Sequence, residues 1–479
     1  MFSPPPSRAK PCTRCSLPIL SGKKALSFFA LLLSVHPALA LAQDTFASDA
    51  AIRSILDERV KARMAMGLVV AVLEKGKQPR IHTAGVSGLA GLPLDSNTLF
   101  EIGSITKAFT GTLLAEMVSR GEVRLDDPIS MYLPKSVKVP TRNGRQITLL
   151  DLTTQTSGLP RLPNNMTPAD GNNPYADYSV DQLYRFLSGY TLTRDIGERY
   201  EYSNLGVGLL GHVLALRDGK SYGQLLKERI LDPLGMHDTG IELTPSMKSR
   251  MAQGFDAEGT PRQIWDLTTL AGAGALRSTA NDMLKFLAAN LDSTSTPLGR
   301  VLAQARMPRH DADRPGNTIG FGWHIVDLFG TIATWHNGGT GGFRTFIGLD
   351  ENRHRGVIVL SNTNRTPDDI GFHLLEPKVP IDKPARQRKE IALDPAKLDP
   401  LIGVFALAPD FQLTITKEGG SLFGQATGQG KLQLFPESAT EFFLKTVDAQ
   451  LTFVKDSSGK VNQLVLHQAG ADVPGKRVK

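Results

Sequence analysis

Ser104 and Lys107 stand three residues apart in Phe100-Glu-Ile-Gly-Ser-Ile-Thr-Lys-Ala-Phe-Thr110. On a helix this spacing puts a hydroxyl and an amine on one face. At a helix's first turn the serine oxygen also lies at the positive end of the helix dipole. That is the arrangement for a serine nucleophile whose proton passes to a lysine, and so for acyl-transfer hydrolysis. The same spacing recurs at Ser7/Lys10, Ser21/Lys24 and Ser457/Lys460, so context must choose among them.

Such a nucleophile needs a proton relay to the leaving group and donors for the oxyanion. Tyr202-Ser203-Asn204 precedes an apolar helical stretch. Positive charge beside Tyr202 would depress its pKa and let it act as base toward Ser104 and acid toward a leaving amine. Asn204 can orient a substrate carbonyl or the lysine. By residue type alone the same stretch also reads as a helix start, with Ser203 or Asn204 as cap. His336-Asn337-Gly338-Gly339 follows the strand-like run Thr331 to Trp335. Its glycines would let a substrate backbone come close. It reads equally as a turn between two strands with His336 exposed.

The first 42 residues read as an export leader. Arg8, Lys10, Arg14, Lys23 and Lys24 precede an apolar run from Ala25 to Leu33, and small-x-small sites end at Ala40 and Ala42. That removes Ser7 and Ser21 from contention. Cys12 and Cys15 also lie in the leader, so the mature chain is expected to hold no disulfide and no cysteine nucleophile. A periplasmic or secreted location follows. The chain carries 54 basic and 47 acidic residues; without the five in the leader, 49 remain against 47, a net charge of +2. Nucleic-acid binding is not expected. Beyond the leader no apolar stretch is long enough for a stable membrane span. There is no H-E-x-x-H and no His/Cys cluster, so neither metal nor cofactor is expected. Oligomeric state is not legible.

The elements that must position these groups follow from periodicity. Residues 48–65 predict an amphipathic helix, Gly67 to Leu73 a buried strand with Arg80 to Val86 as partner, and Ser104 to Ser119 a helix. From about 125 to 290 helices and loops dominate. Gly322 to Leu328, Thr331 to His336, Gly342 to Leu349 and Gly356 to Ser361 predict antiparallel strands. The expected fold is α/β of the α+β type: an antiparallel sheet flanked by helices with a mostly helical insertion. Residues 379–393 read as a polar linker. From 394 to 479, six or more short strands with turns at Lys417-Glu-Gly-Gly420 and Asp456-Ser-Ser-Gly459 predict a small all-β barrel-like domain. Ser457 falls in one of those turns, which leaves Ser104/Lys107. Gly206-Val-Gly-Leu-Leu-Gly211 matches a dinucleotide fingerprint, but no strand precedes it, and close helix packing explains its glycines better.

Ser104-x-x-Lys107, Tyr202-x-Asn204 and His336-Asn337-Gly338, in this order, resemble the motifs of the penicillin-recognising serine hydrolases: class C β-lactamases, DD-peptidases and related esterases. The likeness spans roughly residues 45–375 and includes Thr153 to Leu159, Asp232 to Met236 and Ala273 to Thr279. It implies a catalytic domain over 43–378 with Ser104 as nucleophile, Lys107 as proton acceptor and Tyr202 as donor to the leaving nitrogen. It further implies substrate contacts at Asn204, His336, Asn337 and Gly338, and an oxyanion hole from the backbone N–H groups of Ser104 and Gly339. The implied substrate is a small molecule or a peptidoglycan peptide. His336 stands where many β-lactamases carry Lys, Asn337 where they carry Thr, and Gln155 where relatives usually carry His. Near pH 7 a histidine is only partly charged and anchors a carboxylate less firmly than Lys. Two other functions stay open on these residues: an ester hydrolase, or a non-catalytic β-lactam or peptidoglycan binder.

Overall fold

The computed structural model describes residues 46–292, 296–382, 389–408, 411–445, 449–468 and 471–478. The leader reading over 1–42, with Cys12, Cys15, Ser7 and Ser21, lies outside the described residues, as do 383–388 of the linker.

An eight-stranded antiparallel sheet organises the chain up to about residue 380. Its order is Arg80–Gly85, Gly67–Glu74, Arg355–Ser361, Arg344–Asp350, Thr331–Gly339, His324–Leu328, Thr318–Ile319 and His310–Asp311. The apolar run at 67–73 forms the second strand from one edge, apolar throughout because both faces of the sheet are covered there. Val69 and Ala71 enter the core shared with the helical region. Leu68, Val70 and Val72 enter a second core, with Ile52 and Leu56 of helix Asp49–Lys61 and Ile370 and Leu374 of helix Asp368–Leu375.

The helix carrying Lys107 spans Thr106–Ser119 and is preceded by a 3-10 turn, Gly103–Ile105, that carries Ser104. Residues Thr106 through Met117 are all buried, so this helix runs through the interior rather than along a surface. Phe109 stacks on Phe286 at 3.9 Å. Helix Asn204–Asp218 starts at Ser203, whose hydroxyl accepts from the Gly206 N–H at 2.8 Å. The cap reading of Ser203 and the placement of Tyr202 at a helix start therefore hold together. Gly208 and Gly211 of the same helix lie against Leu270, Gly272 and Tyr222, where added Cβ atoms would come within 2.8–3.2 Å. Those glycines serve helix packing.

One expectation is corrected here. His336 to Gly339 is not a turn: the strand continues through Gly339. Along it, the neighbouring strand His324–Leu328 reaches no further than Trp335, pairing with Thr331 to Trp335. Residues 336–339 are bonded on one side, to Arg344–Ile347, and their other edge is left by the sheet.

From Gly403 to Arg477 eight strands close into a barrel. Gly419 and Gly420 both have positive φ at the tight turn between Phe411–Glu418 and Ser421–Ala426. The barrel interior is filled by Phe405, Phe442, Phe453 and aliphatic side chains, with edge-to-face ring contacts at 5.9 and 5.6 Å. It is a packed core rather than a ligand calyx.

Candidate active site

The Ser104 turn is clamped to the sheet by a close backbone approach. A Cβ on Gly338 would lie 2.0 Å from the Ile102 carbonyl oxygen and 2.2 Å from Thr345 Oγ1. Thr345 Oγ1 donates to that same carbonyl at 2.9 Å, a strap that only a glycine at 338 leaves room for. Gly103 has φ +51, and a Cβ there would sit 2.6 Å from Gly339 N. The backbone of Ser104 and the Gly339 amide are thus brought side by side. Gly338→Val is expected to lower stability by about 3 kcal/mol or more, because backbone on one side and a bonded hydroxyl on the other cannot yield. Urea unfolding measures it, and an unchanged midpoint would refute the clamp.

Lys107 is fully buried. Its Nζ lies 3.0 Å from Ser104 Oγ, 2.8 Å from Asn204 Oδ1 and 2.7 Å from the Ala273 carbonyl. Burial, and secondarily the charge of Arg161, holds its pKa well below the ordinary lysine value. A neutral amine has two N–H groups and one lone pair. Asn204 Oδ1 and the Ala273 carbonyl can only accept, so they take both protons. The lone pair is left for the Ser104 hydroxyl. An amine held this way can act as a general base toward that hydroxyl.

Tyr202 reverses its expectation. Its pKa is raised to about 12, by burial first, with its hydrogen bond to Ser104 opposing. Lys107 Nζ lies 4.8 Å from the ring centroid, but a neutral lysine supplies no positive charge to favour phenolate. Tyr202 is therefore a protonated phenol bonded to Ser104, a proton donor rather than a base in the resting site. Asn204 Nδ2 donates to Tyr175 OH at 3.2 Å, which fixes the amide with its oxygen toward Lys107.

His336 is also corrected. It is buried, 1% exposed, and burial holds its pKa well below the ordinary histidine value, which favours the neutral ring. His324, whose ring centroid is 5.2 Å away, is itself pushed down to about 4 by burial. His336 Nδ1 lies 2.6 Å from the Asn337 carbonyl oxygen, and its Nε2 has no hydrogen-bond partner among the described residues. Asn337 projects from the opposite face of the strand, as the period of two requires, and its amide donates to Asp368 Oδ2 at 2.5 Å. The structure thus joins Ser104, Lys107, Tyr202, Asn204, His336, Gly338 and the Gly339 amide, and takes the Asn337 side chain elsewhere.

The roles of Ala273 and Glu101 escaped the sequence reading, which marked Gln155 only as standing where relatives usually carry His. Ala273 acts through its carbonyl, which side-chain identity cannot flag. It is placed by Thr110 Oγ1 donating to Gly272 O at 2.7 Å and by Leu276 N donating to Thr106 Oγ1 at 3.2 Å. Gln155, with φ +64, accepts from Ser203 N through Oε1 at 2.6 Å and from Glu201 N through its backbone oxygen at 2.8 Å. It grips the chain on both sides of Tyr202. Glu101 is buried beside Arg277 at 3.7 Å, accepts from Trp265 N at 2.7 Å and is pushed up to about 7 by burial.

The family described as Beta-lactamase matches residues 52–374. A domain of unknown function, DUF3471, matches residues 387–477. The chain is 30% identical over 360 residues to D-alanyl-D-alanine-carboxypeptidase/endopeptidase AmpH of Escherichia coli, covering 71% of this chain and 91% of that protein. It is 26% identical over 422 residues to Penicillin-binding protein 4* of Bacillus subtilis, covering 81% of this chain and 89% of that one. Its fold superposes on a solved β-lactamase/D-alanine carboxypeptidase from Pseudomonas syringae with a TM-score of 0.60 and 21% identity, over 69% of this chain and 98% of that one.

Proposed function

The chain belongs to the β-lactamase family of serine hydrolases, and from that premise we propose that it is exported and acylates Ser104 with a D-Ala-type peptide or a β-lactam. The observation that carries this reading is the buried Lys107 Nζ 3.0 Å from Ser104 Oγ, with Asn204 Oδ1 at 2.8 Å and Ala273 O at 2.7 Å to accept its protons. Ser104 Oγ attacks the carbonyl carbon as its proton passes to Lys107. The oxyanion is met by the N–H groups of Ser104 and Gly339. The C–N bond then breaks, the leaving nitrogen takes the Tyr202 proton, and the Lys107 ammonium restores it. Water repeats the sequence on the acyl-enzyme and releases Ser104. The free edge at His336 to Gly339 suits an extended peptide, which would add as a strand. Export rests on the leader pattern at residues 1–42. In the described residues no helix is long and apolar enough to cross a membrane.

A second reading has its own support. His336 is neutral and Asn337 turns to Asp368, so this motif offers no positive charge to a substrate carboxylate. That favours ester hydrolysis on the same machinery. Intact-mass measurement after adding a penicillin separates the two. A transient or lasting adduct on Ser104 supports the peptide and β-lactam reading. No adduct, with ester turnover dependent on Ser104, replaces it with the esterase.

A further inference from the structure

Gln155 carries two features that each cost stability. Its φ of +64 lies in the left-handed region, which a long side chain rarely adopts. Of the five non-glycine residues with positive φ among those described, Arg63, Asn143, Phe329 and His354 are exposed, and Gln155 alone is buried. Its Nε2 is buried too and has no hydrogen-bond partner among the described residues, so the amide gives up bonds to water that the protein does not replace. Backbone held this way persists only where its surroundings over-determine it, and such residues gather at functional sites.

What Gln155 holds is the chain on both sides of Tyr202. Its carbonyl oxygen accepts from Glu201 N–H at 2.8 Å, and its Oε1 accepts from Ser203 N–H at 2.6 Å. The amide can face Ser203 only this way round, because with Nε2 there two donors would meet. Ser203 is itself 1% exposed, so its N–H depends on Oε1. Two further bonds tie the same segments together, from Gly197 N–H to Thr156 O at 2.8 Å and from Ser203 Oγ to Pro160 O at 2.6 Å. The helix start does not require Gln155, since Ser203 Oγ receives the Gly206 N–H. Lys107 Nζ and Arg161 Cζ lie 4.8 and 4.9 Å from the Tyr202 ring centroid, but these side chains do not fix the backbone that carries the ring.

We propose that Gln155 is the positioning residue for Tyr202: by gripping residues 201 and 203 it aims the phenol at the atom that leaves. This rests on the acyl-transfer reading above, with Tyr202 as its proton donor, and not on the choice between peptide, β-lactam and ester. The strained turn at Gln155 then keeps a proton donor in line, where a small displacement costs rate.

The test compares ethyl and 4-nitrophenyl phenylacetate, which give the same acyl-enzyme. Ethoxide is strongly basic and leaves only as it takes a proton, whereas 4-nitrophenoxide leaves as the anion. The ratio of kcat/KM for the nitrophenyl ester to that for the ethyl ester therefore reads proton delivery, and the amount of folded protein cancels from it. Tyr202→Phe should raise this ratio by about 100-fold or more, the scale of a general acid. Gln155→Met keeps the side-chain length, removes the acceptor and should raise it by about 10- to 100-fold. Gln155→Glu keeps an oxygen toward Ser203 and should stay near the parent ratio. Gln155→Met added to Tyr202→Phe should raise the ratio no further, since no donor is left to aim. An equal fall for both esters in Gln155→Met would make Gln155 merely structural and overturn the proposal, as would an unchanged ratio or a full further rise in the double variant. A Tyr202→Phe ratio equal to the parent's would instead remove Tyr202 as donor, and the positioning role with it. A parent that cleaved neither ester would overturn the acyl-transfer reading itself. One that cleaved the nitrophenyl ester alone would show no proton delivery, and the positioning role would fall in either case.

Discussion

Ser104→Ala is expected to lower hydrolysis by at least about 10,000-fold, the scale on which removing a nucleophile acts. It should also abolish any mass adduct with a penicillin. The fold should survive, since the change removes one oxygen from a partly exposed side chain. Lys107 keeps its bonds to Asn204 and Ala273, and the Gly338 clamp is untouched. Unfolding stability should therefore move by less than about 1 kcal/mol. That contrast separates chemistry from structure: a variant that is equally stable and inactive places the bond-making atom at residue 104. A variant that still hydrolysed esters at the parent rate would remove Ser104 from the mechanism.

Lys107→Met should cost about 1,000- to 10,000-fold in kcat/KM, because it removes the lone pair that receives the serine proton while keeping similar volume. The pH profile tests the same point without a mutation. Burial holds the lysine pKa well below its ordinary value, and only the neutral amine can act as base. The rate should rise with pH and level off well short of 10.5. It should stay level until the Tyr202 phenol begins to lose its proton near 12. His336 is already neutral, so no acid limb centred near 6.5 should come from it. Stability carries the same signature. Between the depressed folded value and the unfolded value near 10.5, the unfolded state binds the proton and the folded state does not. Stability therefore rises with pH across that window, and Lys107→Met should flatten that slope. A limb near 6.5 that vanished in His336→Gln would show that His336 is charged in the working site.

Local order was legible in the chain. Ser203 caps because a hydroxyl before an apolar helix can reach a free N–H. The run at 67–73 forms a strand, and Gly419-Gly420 turns a hairpin, because short-range sterics decide both. The barrel was readable as repeated short strands. Its closure was not, since the pairing of Gly403–Ala408 with Ala471–Arg477 joins segments more than sixty residues apart.

The sequence by itself settled which groups could do chemistry: a hydroxyl and an amine three residues apart, a tyrosine at a helix start, and glycines at the end of a strand. Tertiary structure decided their protonation and their aim. Lys107 is pushed toward the neutral amine because segments around Asn204 and Ala273, far away in the chain, bury it and accept its protons. Tyr202 stays a phenol for the same reason, against the local expectation of a phenolate. Asn337 faces Asp368 because the strand runs on through Gly339, and the period of two then turns its side chain from the site. Burial and distant neighbours set a pKa, and neither is written in the spacing of residues along the chain.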